Sequence, residues 1–139
     1  MRGEIDPRGL IDPVLAIDGQ IAMPVIEGRR MFFRLFADRS CMEPGVFGTH
    51  HPHERQAVVD PDLIIAPLAA FDRNGGRIGY GGGYYDRTTA DLRARGRAYR
   101  IVGIAFACQE VDRVPIEAHD ESLPRIATER ELIVVGPGA

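Results

Sequence analysis

Lysine and tryptophan are both missing from these 139 residues, and cysteine occurs only twice. All 17 basic residues are therefore arginine. Without lysine there is no Walker-A P-loop, whose lysine reaches nucleotide phosphates, and no Schiff base or lysine general base. Without tryptophan the largest aromatic platform is gone. Cys41 and Cys108 lie far apart with no CxxC pair, which argues against a zinc knuckle or a disulfide framework. Both cysteines read as packing residues. No stretch reaches the roughly 18 apolar residues of a membrane span. The first ten residues, MRGEIDPRGL, lack the apolar core of a signal peptide. A net charge of −3 with scattered arginines builds no basic face that would release counterions from nucleic acid. These absences predict a cytoplasmic protein with neither nucleic-acid nor membrane partners.

What is present suffices for a core. The chain is 45% hydrophobic and 27% charged, which at this length predicts a single domain over residues 1–139. Residues 7–18 (PRGLIDPVLAID) read as a short helix with Pro7 in its first turn and Gly19 as its stop. Gln20–Ile26 and Met31–Phe36 read as strands about the turn Glu27-Gly28-Arg29-Arg30. Residues 37–61 read mostly as loop. Asp62–Pro67 (DLIIAP) is a short aliphatic run of the kind buried on both faces of a parallel sheet. A loop over 72–83 holds six glycines. Tyr84–Arg95 then reads as a helix ending before Gly96, and Tyr99–Phe106 as the next strand. Arg125–Glu129 and Leu132–Val135 supply two more. Strand, glycine loop, helix and strand make a βαβ unit. The expected fold is a three-layer α/β/α domain with a mostly parallel central sheet, the glycine loop lying at the carboxyl end of a strand.

The segment Phe71–Arg87, FDRNGGRIGYGGGYYDR, carries the chemistry. Glycine frees the backbone to take positive φ and to turn N–H groups toward an anion. The helix starting near Tyr84 presents its positive dipole end at the same place. Arg77 and Arg87 bracket the loop and suit phosphate oxygens. Asp86 sets a carboxylate beside such an anion, an arrangement that a bridging metal makes favourable. A cluster of glycines serving tight turns alone is the rival reading. Tyr84 and Tyr85 diverge by about 100° on a helix, so at least one is expected to face the loop. His50, His51 and His53 form a histidine-rich stretch that reads as solvated loop in preference to a metal site.

PDLIIAPLAAFDRNGGRIGYGGGYYDR resembles the signature of the 5-formyltetrahydrofolate cyclo-ligase (5,10-methenyltetrahydrofolate synthetase) family. IAFACQEVDRVPIEAHDESLPRIATE is similar to the family's second block, GEIDPRGL to the segment after its first strand, and AMPVIEGRRMFFRLF to its next paired strands. The resemblance implies an enzyme that uses ATP and Mg²⁺ to convert 5-formyltetrahydrofolate to 5,10-methenyltetrahydrofolate, ADP and phosphate. In such enzymes the formyl oxygen attacks the γ-phosphate, N10 closes on the activated carbon, and phosphate leaves. That chemistry asks mainly for charge neutralisation and alignment, which fits a glycine cradle with no obvious nucleophile.

By the same resemblance, ATP is bound by Arg77, Ile78, Gly79, Tyr80, Gly81, Gly82, Gly83, Tyr84 and Tyr85. The folate is met by Glu4, Tyr80, Gly81, Gly82, Gly83 and Tyr84, and Glu4 suits the donor edge of a pterin. Asp86 and Asp120 are the implied metal ligands, and Arg77, Tyr84 and Asp86 the implied catalytic residues. Relatives carry a further N-terminal helix with a Lys-x-x-Leu-Arg run and a first sheet strand ahead of the Glu4 segment. Pro124 stands where they often have aspartate. The implied protein is thus an N-terminally short cyclo-ligase, a monomer or weak homodimer. The alternative is a degenerate member that binds nucleotide or folate without turnover.

Overall fold

A computed structural model of the chain describes residues 5–45, 50–79, 83–115 and 122–136. Two compact units divide it: Pro7–Asp62 with Tyr84–Ala98, and Leu63–Gly83 with Tyr99–Ala139 and Met1–Asp6. The fold is α/β with several sheets, one of them mixed and mostly parallel.

In the first unit, Pro7–Leu10 form a 3-10 turn that runs into α1, Ile11–Ala16. Gly19 was the expected stop, yet the residue with positive φ is Asp18, at 59°. A short polar side chain tolerates that region. β1 (Ile21–Glu27) and β2 (Arg30–Phe36) then form an antiparallel hairpin in register from Ile21↔Phe36 to Glu27↔Arg30. Gly28, with φ of 60°, occupies the first position of the two-residue turn, where a side chain would be strained. Alternation buries Met31 and Phe33 on one face of the hairpin and Val25, paired with Phe32, on the other. Pro24 donates no ladder hydrogen bond, and β1 pairs only with β2 among the described residues, so the proline costs the sheet nothing.

The stretch 37–61, expected to be mostly loop, also contains the short strands β3 (Met42–Pro44), β4 (His50–Pro52) and β5 (Val58–Val59). β5 adds to β2, and β3 pairs with β4. Strands of two or three residues are too short for periodicity to reveal. Arg34 fastens the stretch to β2 by donating from one Nη1 to the carbonyls of Glu54 and Gln56, at 2.9 and 2.8 Å. Helix α2 (Tyr84–Ala94) lays Thr88 and Leu92, four residues apart, against β2. The Thr88 hydroxyl donates to the Met31 carbonyl at 3.1 Å.

In the second unit, β6 (Leu63–Pro67) and β9 (Arg100–Ile104) run parallel from Leu63↔Arg100 to Pro67↔Ile104. β10 (Arg125–Ala127) adds parallel to β9, and β11 (Leu132–Val134) closes an antiparallel hairpin on β10. The sheet order is β11-β10-β9-β6. Burial of β6 on both faces was expected, but only alternate residues are buried: Ile64 and Ala66 are covered while Leu63 is exposed. On the other face Ile65 and Pro67 are half-buried, and among the described residues β6 is an edge strand with β9 as its neighbour. Phe71, Leu68, Leu123, Ile126 and Val114 form the centre of this core. Cys41 is buried as expected, whereas Cys108, in the 3-10 turn after β9, is exposed.

Candidate functional site

Phe71 ends β7 (Ala70–Phe71), which pairs with β8 (Arg77–Ile78) in a short hairpin. The turn between them is organised by Asp72. Its Oδ1 accepts the backbone N–H groups of Asn74 and Gly76 at 2.9 and 3.0 Å, and its Oδ2 accepts that of Val114 at 2.8 Å. The side chain is buried. Burial pushes the Asp72 carboxyl up, but the N–H groups of Val114, Gly76 and Asn74 outweigh it and, with the Arg113 guanidinium, hold it below its usual value. One carboxylate thus ties the approach to the glycine segment to the chain after residue 113.

Two glycines of the segment are accounted for by packing. Gly75 has φ of 86°, and its amide and carbonyl are both engaged, the latter accepting from Leu123 N–H at 2.9 Å. A Cβ there would overlap the Ser122 hydroxyl and lie 2.6 Å from the Leu123 carbonyl. A Cβ on Gly76 would lie 2.6 Å from the Asp72 carboxylate. Gly79 differs: a Cβ there meets nothing within 4 Å among the described residues. Gly75→Ala should therefore destabilise the fold by ~2 kcal/mol, whereas Gly79→Ala should leave the thermal midpoint unchanged. Differential scanning fluorimetry of the two variants side by side checks both.

The remaining expected residues fall as follows. Arg77 is half-buried in β8, and Ile78 and Gly79 are exposed. Gly83, with φ of 63°, immediately precedes α2. Tyr84 and Tyr85 are half-buried at the start of the helix, and Asp86 is exposed in its first turn, where a negative charge meets the positive dipole end. Tyr84 turns toward the hairpin: its hydroxyl donates to the Gly28 carbonyl at 3.3 Å, and the Arg87 guanidinium stacks 5.0 Å from its ring centroid. Glu4, Tyr80, Gly81, Gly82 and Asp120 lie outside the described residues.

Among the described residues no group of three or more His, Cys, Asp or Glu side chains could hold a metal. His51 and His53 instead face Glu43, at 3.8 and 3.5 Å. Mg²⁺ takes one or two carboxylates plus phosphate oxygens and water in preference to an all-protein cage. Asp86, exposed in the first turn of α2, carries the carboxylate oxygens that a magnesium–phosphate complex takes as donors.

Sequence reasoning missed three residues that frame the segment. Asp72 left an audible signal, an aspartate ahead of two glycines, which is the pattern of a side-chain-capped turn. Gln109 receives the Phe106 N–H on its Oε1 at 2.7 Å and donates from Nε2 to the carbonyls of Leu68 and Ala69, both at 3.1 Å. It thereby clamps the end of β6 to the turn after β9. Arg73 holds Glu110 and Glu131 through paired hydrogen bonds of 2.8 to 3.2 Å. Bonds to Glu131 and then Glu110 raise the Arg73 pKa, and the same contact lowers that of Glu131. Neither Gln109 nor Arg73 is distinguishable in sequence from an ordinary polar residue, because their partners are remote.

A 5-formyltetrahydrofolate cyclo-ligase from Haemophilus influenzae is 33% identical over 129 residues, covering 87% of this chain and 67% of the relative. The protein of the same name from Escherichia coli K12 is 32% identical over 135 residues, 91% of this chain and 72% of that one. In three dimensions the NMR structure of Aquifex aeolicus 5,10-methenyltetrahydrofolate synthetase superposes with a TM-score of 0.75 at 28% identity, covering 100% of this chain and 70% of that one. The family model described as 5-formyltetrahydrofolate cyclo-ligase matches residues 1–129, a span that includes the Asp72-capped turn, the glycine segment and the start of α2. This chain belongs to the 5-formyltetrahydrofolate cyclo-ligase family.

Proposed function

We propose that this chain is a cyclo-ligase that consumes ATP with Mg²⁺ to turn 5-formyltetrahydrofolate into 5,10-methenyltetrahydrofolate, releasing ADP and phosphate. Membership of the family supports the reaction. The observation that carries the nucleotide part is Gly79: its missing side chain answers no packing need among the described residues, unlike those of Gly75 and Gly76. Exposed backbone without a Cβ is what a phosphate needs for close approach.

In this reading the amides of the glycine segment and the first turn of α2 receive the phosphates. Arg77, at the entry to that segment, meets negative charge that grows on the transferring group. Asp86 and Asp120 would hold the magnesium ion, which when bound would supply positive charge to neutralise the phosphates. Tyr80, Tyr84 and Tyr85 meet the nucleotide, Tyr80 and Tyr84 also meet the reduced pterin, and Glu4 accepts from the pterin's amino edge. No covalent intermediate with the protein is required, which agrees with the lack of a candidate nucleophile in the segment.

The experiment is direct. Purified chain is mixed with 5-formyltetrahydrofolate, ATP and Mg²⁺, and the ultraviolet absorbance of the methenyl product is followed. Product formation that stops when ATP or Mg²⁺ is withheld is the expected result. Saturable nucleotide binding with no product would replace the proposal with a binding role.

A further inference from the structure

β6 does not run straight into the glycine segment. After Pro67 the chain bends at Leu68 and Ala69 before β7 begins at Ala70. The near side of this bend is fixed to the core. The Leu68 N–H donates to the Ile104 carbonyl at 3.0 Å, and the Leu68 side chain is buried. The far side is bonded directly to β8: the Ala69 N–H donates to the Ile78 carbonyl at 2.8 Å. Arg77, Ile78 and Gly79 therefore move with Ala69.

Where a chain turns out of a sheet its carbonyls lose ladder partners, and buried ones need another donor. Gln109 supplies it at this bend. Its Nε2 donates to the Leu68 and Ala69 carbonyls, both at 3.1 Å, while its Oε1 accepts the Phe106 N–H at 2.7 Å. A side-chain amide presents two donors and an acceptor from one planar group. A carboxylate of the same length keeps the bond from Phe106 and sets a negative oxygen against two carbonyls. Asp72 caps the turn at the other end of the hairpin through Asn74, Gly76 and Val114. The two ends are thus held by separate groups. Asp72 sets the shape of the turn, and Gln109 sets the direction in which the hairpin leaves the sheet.

We infer that Gln109 is a positioning residue for the nucleotide: by holding the two carbonyls of the bend it fixes where β8 presents Arg77, Ile78 and Gly79 to ATP. The inference rests on the proposed reading of that segment as ATP-binding. A misplacement of about 1 Å at a distance from the chemistry can cost on the order of 10²-fold in rate. Here one hydrogen bond passes any shift of Ala69 to Ile78.

Gln109→Glu is the test. Parent and variant are assayed for methenyl product while ATP and 5-formyltetrahydrofolate are varied in turn. The variant should raise KM for ATP by about tenfold or more and leave KM for the folate within about twofold of the parent. The split arises because Arg77, Ile78 and Gly79 are assigned to the nucleotide and not to the folate. A purely structural role would lower the fraction of folded protein, and with it kcat, at unchanged KM for both substrates. An ATP KM at the parent value, or equal rises in both KM values, overturns the inference. A parent that makes no product refutes the cyclo-ligase reading instead, and calorimetric titration with ATP and Mg²⁺ then decides for Gln109. The variant should bind ATP more weakly by a comparable factor; equal affinity refutes the positioning role, and a parent that binds no ATP removes both. Should Gln109→Glu not fold, Gln109→Met, of similar length and without the charge, replaces it in the same measurements.

Discussion

Asp72→Ala is expected to cost ~3 kcal/mol or more of folding stability. The substitution leaves the N–H groups of Asn74, Gly76 and Val114 without their acceptor in or beside the core. Each buried donor left unsatisfied costs roughly 1–3 kcal/mol, and water entering the vacated space relieves part of the sum. For a domain of this size that loss lowers the thermal midpoint by about 10 °C, read by calorimetry or circular dichroism. Asp72→Asn should fall between the two proteins. It retains one oxygen for the Asn74 and Gly76 amides but turns a donor toward the N–H of Val114.

The same residue sets an acid limit. The folded Asp72 carboxyl titrates below its ordinary value of 3.8. A depressed folded pKa means that the unfolded chain takes up the proton first as pH falls. The Asp72 contribution is therefore complete well above pH 3.8 and is lost below it, as pH drops toward the folded pKa. Urea denaturation at pH 7 and near pH 3 should show the gap between wild type and Asp72→Asn shrinking at the lower pH. A gap that stays constant would mean that the carboxylate charge does not hold the turn.

The second large effect is on turnover. Asp86→Ala should reduce kcat/KM for the ATP-dependent cyclisation by about 10²- to 10³-fold, the range found when one preorganised electrostatic group is removed. Asp86 is exposed in the first turn of α2, away from the buried Thr88, Thr89 and Leu92, so the fold should survive. The diagnostic measurement is the Mg²⁺ titration of the residual rate. Loss of a metal ligand moves its midpoint to higher Mg²⁺ concentration, and Asp86→Glu should restore part of the affinity. An unchanged midpoint with a normal rate would remove Asp86 from the metal site and leave its charge as a complement to the helix dipole alone.

Much of the architecture could be read along the chain because it rests on local chemistry. The β1–β2 hairpin follows from two apolar runs about Gly28, and α2 from its length and the Gly96 stop. The parallel pairing of β6 with β9 follows from a strand–helix–strand order that leaves little other choice. The short strands within 37–61 escaped because two or three residues carry no period, and their pairing is decided by the strands beside them.

The glycine segment divides along the same line. That it was special, and which family it resembles, was legible in its residues. Which glycines serve the turn and which leave a surface open was not. Gly75 and Gly76 are set by Asp72, Ser122 and Leu123, whereas Gly79 has open space. The roles of Asp72, Gln109 and Arg73 also depended on partners 37 to 58 residues away. The sequence by itself determined the hairpin, the helix and the family, because propensity, periodicity and turn chemistry act between near neighbours. The satisfaction of the buried Asp72 carboxylate, and the pairing of Arg73 with Glu110 and Glu131, were decided only by the tertiary structure, because hydrogen bonds and Coulomb forces act through space between segments that chain order keeps apart.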